Sequence, residues 1–474
     1  MKNNIALHWF KKDLRLADNP SLNYLSKKYE KIIGVYIYDD INSIPKIGSA
    51  SRVWLNQALK YLDKQLNGNL IVLRGNPKEN LSKIIEWFNI NEISWNRCYE
   101  PWMIKRDKEL KIFFSGKVKV SSFNGSLLWE PWEILKNDGT PYKIFTPFYK
   151  RGCLEAREPR QPENLEINFF KHNFKNTEVS DLNLLTQKKW ESKVARNWNV
   201  GENYSTEIMN NFYKDGLNDY ADGRNFPIKK NVSRLSPYIH WGQISPNTLW
   251  YELKRKKKSK NNNFEVFRSE LGWREFAYYL LYHFPYLQNK NLKSNFDKFQ
   301  WLDDENNLKK WTTGMTGIPI VDAGMRELWQ TGYMHNRSRM IVGSFLVKNL
   351  LINWKEGEKW FWDCLFDADA ASNSASWQWI AGTGTDSTPY FRIFNPVTQG
   401  QKFDPTGEYV KKYVPELKEI PMKFLFNPWE CPQDIFENIN FKLGKDYPYP
   451  IVDLKESRER ALSTYARLRK ENNS

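Results

Sequence analysis

Five short apolar runs, with helical spacing in the stretches between them, govern what the first third of this chain can become. The runs are IALHWF (5–10), IIGVYIYD (32–39), LIVLRG (70–75), EISWNR (92–97) and KVKVSSF (117–123). Between them, Leu55, Ala58, Leu59, Leu62 and Leu66 recur at helical spacing, as do Leu81, Ile84, Ile85 and Phe88. Strands that alternate with helices predict a parallel, doubly wound α/β sheet. No GxGxxG follows the first run, so a dinucleotide fingerprint is excluded.

From about 129 to 200 the pattern dissolves into turn-rich sequence such as EPWEILKNDGTPYKIFTPFYK, which predicts an interdomain connection. Beyond 200 the strand signals fade. SPNTLWYELKRKK, FEVFRSELGWREFAYYLLYH and GEKWFWDCLFDADAASNSASWQWI carry helical spacing. The expected organisation is an α/β domain at 1–128, a connection at 129–200 and a larger all-α domain at 201–474. The basic run KRKKKSKNNN (254–263) reads as a solvated loop.

Charge narrows the partner. The chain has 71 Lys+Arg against 55 Asp+Glu, a net +16, which favours a polyanion, with nucleic acid ahead of an anionic membrane. Tryptophan (21) outnumbers methionine (8), an excess suited to stacking on bases or on a flat cofactor. The four cysteines, Cys98, Cys153, Cys364 and Cys431, are scattered without a CxxC pair. That spacing argues against a disulfide frame and a zinc site, and no metal is expected. MKNNIALHWF lacks a signal-peptide core and no apolar run approaches a membrane span, so a cytoplasmic protein is expected.

One stretch, SNSASWQW (372–379), sets two tryptophans beside a run of small residues. Asn373 and Trp377 are four apart and share a helix face. The small Ser374, Ala375 and Ser376 leave room for something flat. Spacing by itself favours a helix packed in a tryptophan-rich core.

The surrounding words add a resemblance. WQWIAGTGTDSTPYFRIFNPVTQGQKFDPTGEYV, TGIPIVDAGMREL, MHNRSRMIVGSFLVKNLLINWKEGEKWF, SELGWREF, VSRLSPYIHWGQISP and HWFKKDLRLADNP all resemble the DNA photolyase and cryptochrome family, nearly end to end. The nearest pattern is that of microbial photolyases that repair cyclobutane pyrimidine dimers. The resemblance implies an N-terminal antenna domain and a helical domain that binds FAD, active as FADH⁻. By motif match, the FAD contacts are Tyr220, Val232, Ser233, Arg234, Leu235, Ser236, Trp273, Arg274, Asn336, Arg339, Asp367, Asp369 and Asn373. Val232 stands where the family usually has threonine. Asn373 matches the amide that faces the flavin N5 in dimer-repairing members, where cryptochromes usually carry a carboxylate or thiol. Trp377, Trp354 and Trp301 match the inner, middle and outer members of an electron relay.

The implied substrate is ultraviolet-damaged DNA, with the dimer flipped out of the stack, as photolyases must do. Trp273 and Trp379 match the walls of the substrate cavity, Met340 is adaptable filler, and Glu270 and Asn336 match anchors for the dimer's polar edges. Arg224, Arg337, Arg392 and Gln399 match DNA contacts around the lesion. The implied activity is that of a photo-lyase: light-driven electron transfer from FADH⁻ splits the cyclobutane ring and the electron returns. The antenna expected is methenyltetrahydrofolate, or else a deazaflavin, near Glu100 and Lys143, although the Asn-Glu pair that grips folate in some relatives is absent from CYEPWMIKRD. The rival readings are a blue-light-sensing cryptochrome and a six-four photoproduct photolyase. A monomer is expected.

Overall fold

Strand sequences that are apolar at nearly every position cannot be satisfied by one buried face, and they form a sheet covered on both sides. In the computed structural model, which describes residues 4–174, 178–186, 188–256 and 262–471, these strands are β1 (Ile5–Phe10), β2 (Lys31–Tyr38), β3 (Leu70–Arg74), β4 (Glu92–Asn96) and β5 (Lys119–Phe123). All pairs are parallel, in the order β3-β2-β1-β4-β5, with Ala6 opposite Ile32 on one side and Glu92 on the other. β1 is buried along its whole length, whereas the edge strand β5 is only partly covered.

The helices between the strands are α1 (Pro20–Ser26), α2 (Ser49–Gln65), α3 (Pro77–Phe88) and α4 (Pro101–Phe114). Three of the four begin with proline at the first helical position, where its missing N–H costs nothing. Asn19 and Asn76 cap α1 and α3 by accepting from Leu22 N at 3.3 Å and Lys78 N at 2.9 Å. α3 ends at Asn89, which adopts the left-handed conformation (φ +52°).

The chain leaves β1 through a buried polar cluster. Asp13 accepts from Lys11 N (2.7 Å) and Asn96 Nδ2 (2.6 Å), and lies 3.3 Å from His8 Nε2. These partners hold its carboxyl down at about 2 despite complete burial. The loop after β1 is thereby tied to the end of β4, close to where the strand order reverses.

The described part of the expected connection holds short helical pieces, at Phe145–Pro147, Phe148–Cys153, Val179–Leu182 and Lys189–Ala195, and an isolated parallel bridge from Phe169 to Ile32 of β2. Later elements are helical. Of the basic run, residues 254–256 close the helix Pro246–Lys256 rather than forming loop, and 262–263 open Asn262–His283. Cations in a last helical turn complement the helix dipole, which explains the departure. Residues 257–261 lie outside the described residues.

Contacts divide the chain into two compact units: residues 1–218, 233–285 and 366–371, and residues 219–232, 286–365 and 372–474. These divisions do not fall at 128 and 201, because three distant segments gather in the first unit. All four cysteines are buried and free. Among the described residues no helix is long and apolar enough to cross a membrane.

Candidate functional site

In the first unit, Ser233, Arg234 and Leu235 lead into the short helix Ser236–His240. Arg234 takes a left-handed conformation (φ +53°) and lays its guanidinium 4.4 Å from the Trp198 ring centroid. Ser236 Oγ donates to Asp367 Oδ2 at 2.6 Å, which brings the VSRLSP and DADA motifs together. Asp367 and Asp369 are both buried.

Glu270, Trp273 and Arg274 lie on the helix Asn262–His283. Trp273 is 37% exposed, with one face stacked on Phe145 at 3.7 Å and 10°. A large ring stacked on one face and partly open to solvent can take a second flat group. Arg274 donates to Ser126 O (2.8 Å) and pairs with Glu275 (3.0 Å). Glu270 is half-buried. Glu100 is buried and ion-paired with Lys12, while the exposed Lys143 lies 5.7 Å from the Phe284 ring. Among the described residues no bond joins Glu100 to Lys143.

In the second unit, Asn373 and Trp377 share the helix Ala370–Ala381. Asn373 Nδ2 donates to Glu358 O at 3.0 Å, and Ser374 Oγ donates to the Glu358 carboxylate. Burial raises the Glu358 carboxyl to about 7. With its amide nitrogen committed, Asn373 keeps Oδ1 as an acceptor with no partner among the described residues. An acceptor of that kind suits the N5–H of a reduced flavin, so Asn373 fits the cofactor its motif implies.

Trp377 is 3% exposed and packs over Gly357, beside Phe361 (5.0 Å between ring centroids) and Trp311 (6.2 Å). Trp354 is also buried, and its Nε1 donates to Asn291 Oδ1 at 2.9 Å. Trp301 is partly exposed and rests on Phe299 at 4.5 Å. No two of the three are in direct ring contact. Trp311 is a near neighbour that the sequence motifs did not point to.

The arginines form the clearest electrostatic feature. Arg337 is partly buried, its guanidinium 4.1 Å from the Phe403 ring centroid, and it donates to Asn225 Oδ1. Desolvation, then Arg224 and Arg392, lower its pKa. Three guanidiniums thus lie close enough to repel, and among the described residues no carboxylate pairs with Arg337 or Arg392. Arg224 lies 5.3 Å from the ring of Tyr220, which is buried. Arg339 Nε donates to Met334 O at 2.8 Å. Asn336 is exposed at the first turn of the helix Asn336–Ser344, and Met340 is partly buried one turn on. Trp379 and Gln399 are partly exposed. His335 caps the Asn336 helix, with Nδ1 accepting from Arg337 N at 3.1 Å. Burial and the neighbouring arginines hold its imidazole down at about 3.

Fold and site together define a protein with a parallel-sheet α/β unit and a tryptophan-rich helical unit in which, among the described residues, Arg337 and Arg392 have no carboxylate partner. Comparison with known proteins agrees. Residues 6–165 match the family described as DNA photolyase, and residues 267–467 match the FAD binding domain of DNA photolyase. A deoxyribodipyrimidine photo-lyase of Agrobacterium fabrum is 43% identical over 99% of both chains. Cryptochrome-1 of Arabidopsis thaliana is 32% identical over 96% of this chain and 69% of its own length. A bacterial class III photolyase from Agrobacterium tumefaciens superimposes with a TM-score of 0.95 at 42% identity, covering 99% of this chain and 98% of that one. The chain belongs to the DNA photolyase and cryptochrome family.

Proposed function

We propose that this chain is a light-driven DNA repair enzyme that opens cyclobutane pyrimidine dimers, with FAD as its cofactor. The observation that carries this reading is the arginine group of the second unit. Arg337 and Arg392, which repel each other and have no carboxylate partner among the described residues, favour an outside anion, and DNA phosphate supplies it.

By motif match the residues that would contact FAD are Ser233, Arg234, Leu235, Ser236, Trp273, Arg274, Asp367 and Asp369 in the first unit, and Tyr220, Val232, Asn336, Arg339 and Asn373 in the second. Bound there, reduced FAD supplies a light-excited electron that opens the cyclobutane ring and is then returned. Asn373 offers a neutral acceptor to N5–H and introduces no charge. Trp377, Trp354 and Trp301 pass electrons inward from the surface. Trp273 and Trp379 wall the flipped bases, Met340 fills against them, and Glu270 and Asn336 take their polar edges. Arg224, Arg337, Arg392 and Gln399 engage the strand around the lesion. Glu100, held by Lys12, and Lys143 remain the antenna residues of this reading, with methenyltetrahydrofolate ahead of a deazaflavin. The domain roles follow the same reading: antenna binding in 1–128, FAD binding and catalysis in 201–474.

Binding in the dark tests the DNA contact. The FAD-loaded protein should prefer a duplex carrying one cyclobutane dimer to the same duplex undamaged, and binding should weaken with salt. Arg337→Ala should reduce the slope of log K against log salt by about 0.9, one phosphate contact on duplex DNA. A variant with the parent slope would remove Arg337 from the DNA surface.

A further inference from the structure

Lys348 is a lysine in an apolar run, FLVKNLL, and its side chain is wholly buried. It sits in the π-helical turn Phe345–Asn349, which directly follows the helix Asn336–Ser344. Its Nζ donates to the main-chain carbonyl of Arg392 at 2.8 Å and lies 5.5 Å from the Tyr390 ring centroid. The helix Leu454–Glu471 packs on the same turn and brings Ser457 and Arg460, both bonded to Asn349. The groups placed against Lys348 itself are Arg392 and Tyr390, while Ser457 and Arg460 hold its neighbour Asn349. Among the described residues no carboxylate pairs with it.

Such a site is costly for an ammonium ion. Burial, then the like charge of Arg392, bring the Lys348 pKa down to about 7. The amine therefore titrates close to neutral pH, and the neighbouring segment 382–394 has further anchors. Lys293 Nζ donates to Ser387 Oγ (2.7 Å) and Gly382 O (3.3 Å), and Phe394 N donates to Ser344 Oγ (3.4 Å). At the tip of this segment Phe391 is 60% exposed, and Arg392 points into solvent.

We infer that Lys348 is a positioning residue for the DNA-facing segment 389–393, and that phosphate arriving at Arg392 draws a solvent proton onto Lys348, coupling damaged-DNA binding to proton uptake. The inference rests on the reading that Arg392 meets DNA. A phosphate beside Arg392 neutralises the charge that repels the ammonium, so the Lys348 pKa rises in the complex. The charged amine then makes the stronger bond to the Arg392 carbonyl. The sign follows from linkage. The complex binds more protons than the free protein, so affinity increases as pH falls through the bound-state pKa and levels off below the free-state value. Each unit of rise contributes up to about a tenfold change in Kd across that window.

The test uses the FAD-loaded protein in the dark with a fluorescent duplex carrying one cyclobutane dimer, at constant salt, from pH 6.5 to 9. Native Kd should rise with pH, and calorimetry at pH 8 in buffers of different ionisation enthalpy should report proton uptake on binding. Lys348→Met should flatten the pH profile and abolish the uptake. If Lys348→Met does not fold, the calorimetry on native protein still decides, because no proton uptake would overturn the inference. Arg392→Ala separates the two readings. Weaker binding in that variant with a flat native pH profile would overturn the Lys348 inference alone. Unchanged binding would overturn the contact of Arg392 with DNA, and the inference with it. A pH profile that survives Lys348→Met would also overturn it.

Discussion

Gly357→Ala puts two known effects in opposition. In an exposed helix interior this change stabilises by about 1 kcal/mol, because alanine has the better propensity. Gly357 lies within the helix Trp354–Cys364, where a Cβ would fall 2.2, 2.5 and 2.6 Å from Cη2, Cζ3 and Cζ2 of Trp377. Carbon atoms pack at about 3.5–4.0 Å, so the indole must retreat by more than an ångström. Phe361 and Trp311 stand against the same ring and limit the retreat. Overpacking of this kind costs about 1–3 kcal/mol before relaxation. The variant should therefore be less stable than the parent by up to about 2 kcal/mol, the opposite sign to the propensity effect. Thermal unfolding of the FAD-loaded protein should show a melting temperature lower by a few degrees. Displacing Trp377 should also slow bleaching of oxidised flavin under blue light with an external reductant. An increase in stability of about 1 kcal/mol would show that Trp377 does not rest on Gly357, and the account of its seat would fail.

Trp301→Phe should block photoreduction of oxidised flavin while leaving dimer repair by chemically reduced protein nearly intact; unchanged photoreduction would remove Trp301 as the exit residue. His335→Asn should reduce sensitivity to acid. The imidazole titrates at about 3 in the folded chain and near 6.5 unfolded, so the unfolded chain binds the extra proton between those values. Native stability therefore falls as pH drops from 6.5, by up to about 1.4 kcal/mol per unit from this group. Asparagine can still cap the helix, and denaturant titrations at pH 7 and 4.5 should differ less for the variant than for the parent. An identical loss on acidification would show that His335 is not the group being charged.

The sheet was legible because its strands are apolar on both faces and two of the helices between them, α2 and α3, carry apolar residues at helical spacing. Boundaries slipped where the signal was weak. The last run was expected from Lys117, but pairing begins at Lys119, which lies opposite Glu92. The role of Asn373 came from resemblance, while the orientation of its amide came only from the Glu358 carbonyl, a main-chain atom that no motif encodes. Lys348 escaped notice for a related reason. Its partner is the backbone of a residue 44 positions away, and a single lysine in FLVKNLL looks like an interruption until the packing of 382–394 is known. Phe145 was equally hidden, in turn-rich sequence, although it supports Trp273.

The most direct measurement compares two lesions. Splitting a six-four photoproduct needs proton transfer to the damaged base, and the positions expected to face it, Asn336 and Met340, cannot act as general acids near neutral pH. His335 is turned into a helix cap and held neutral, with its pKa at about 3. Two oligonucleotides, one with a cyclobutane dimer and one with a six-four photoproduct, should be given to reduced protein under blue light and in the dark, and read by chromatography. The account predicts light-dependent restoration of the cyclobutane substrate and none of the six-four substrate. Efficient conversion of the six-four substrate, or no repair of the dimer in the light, would contradict it.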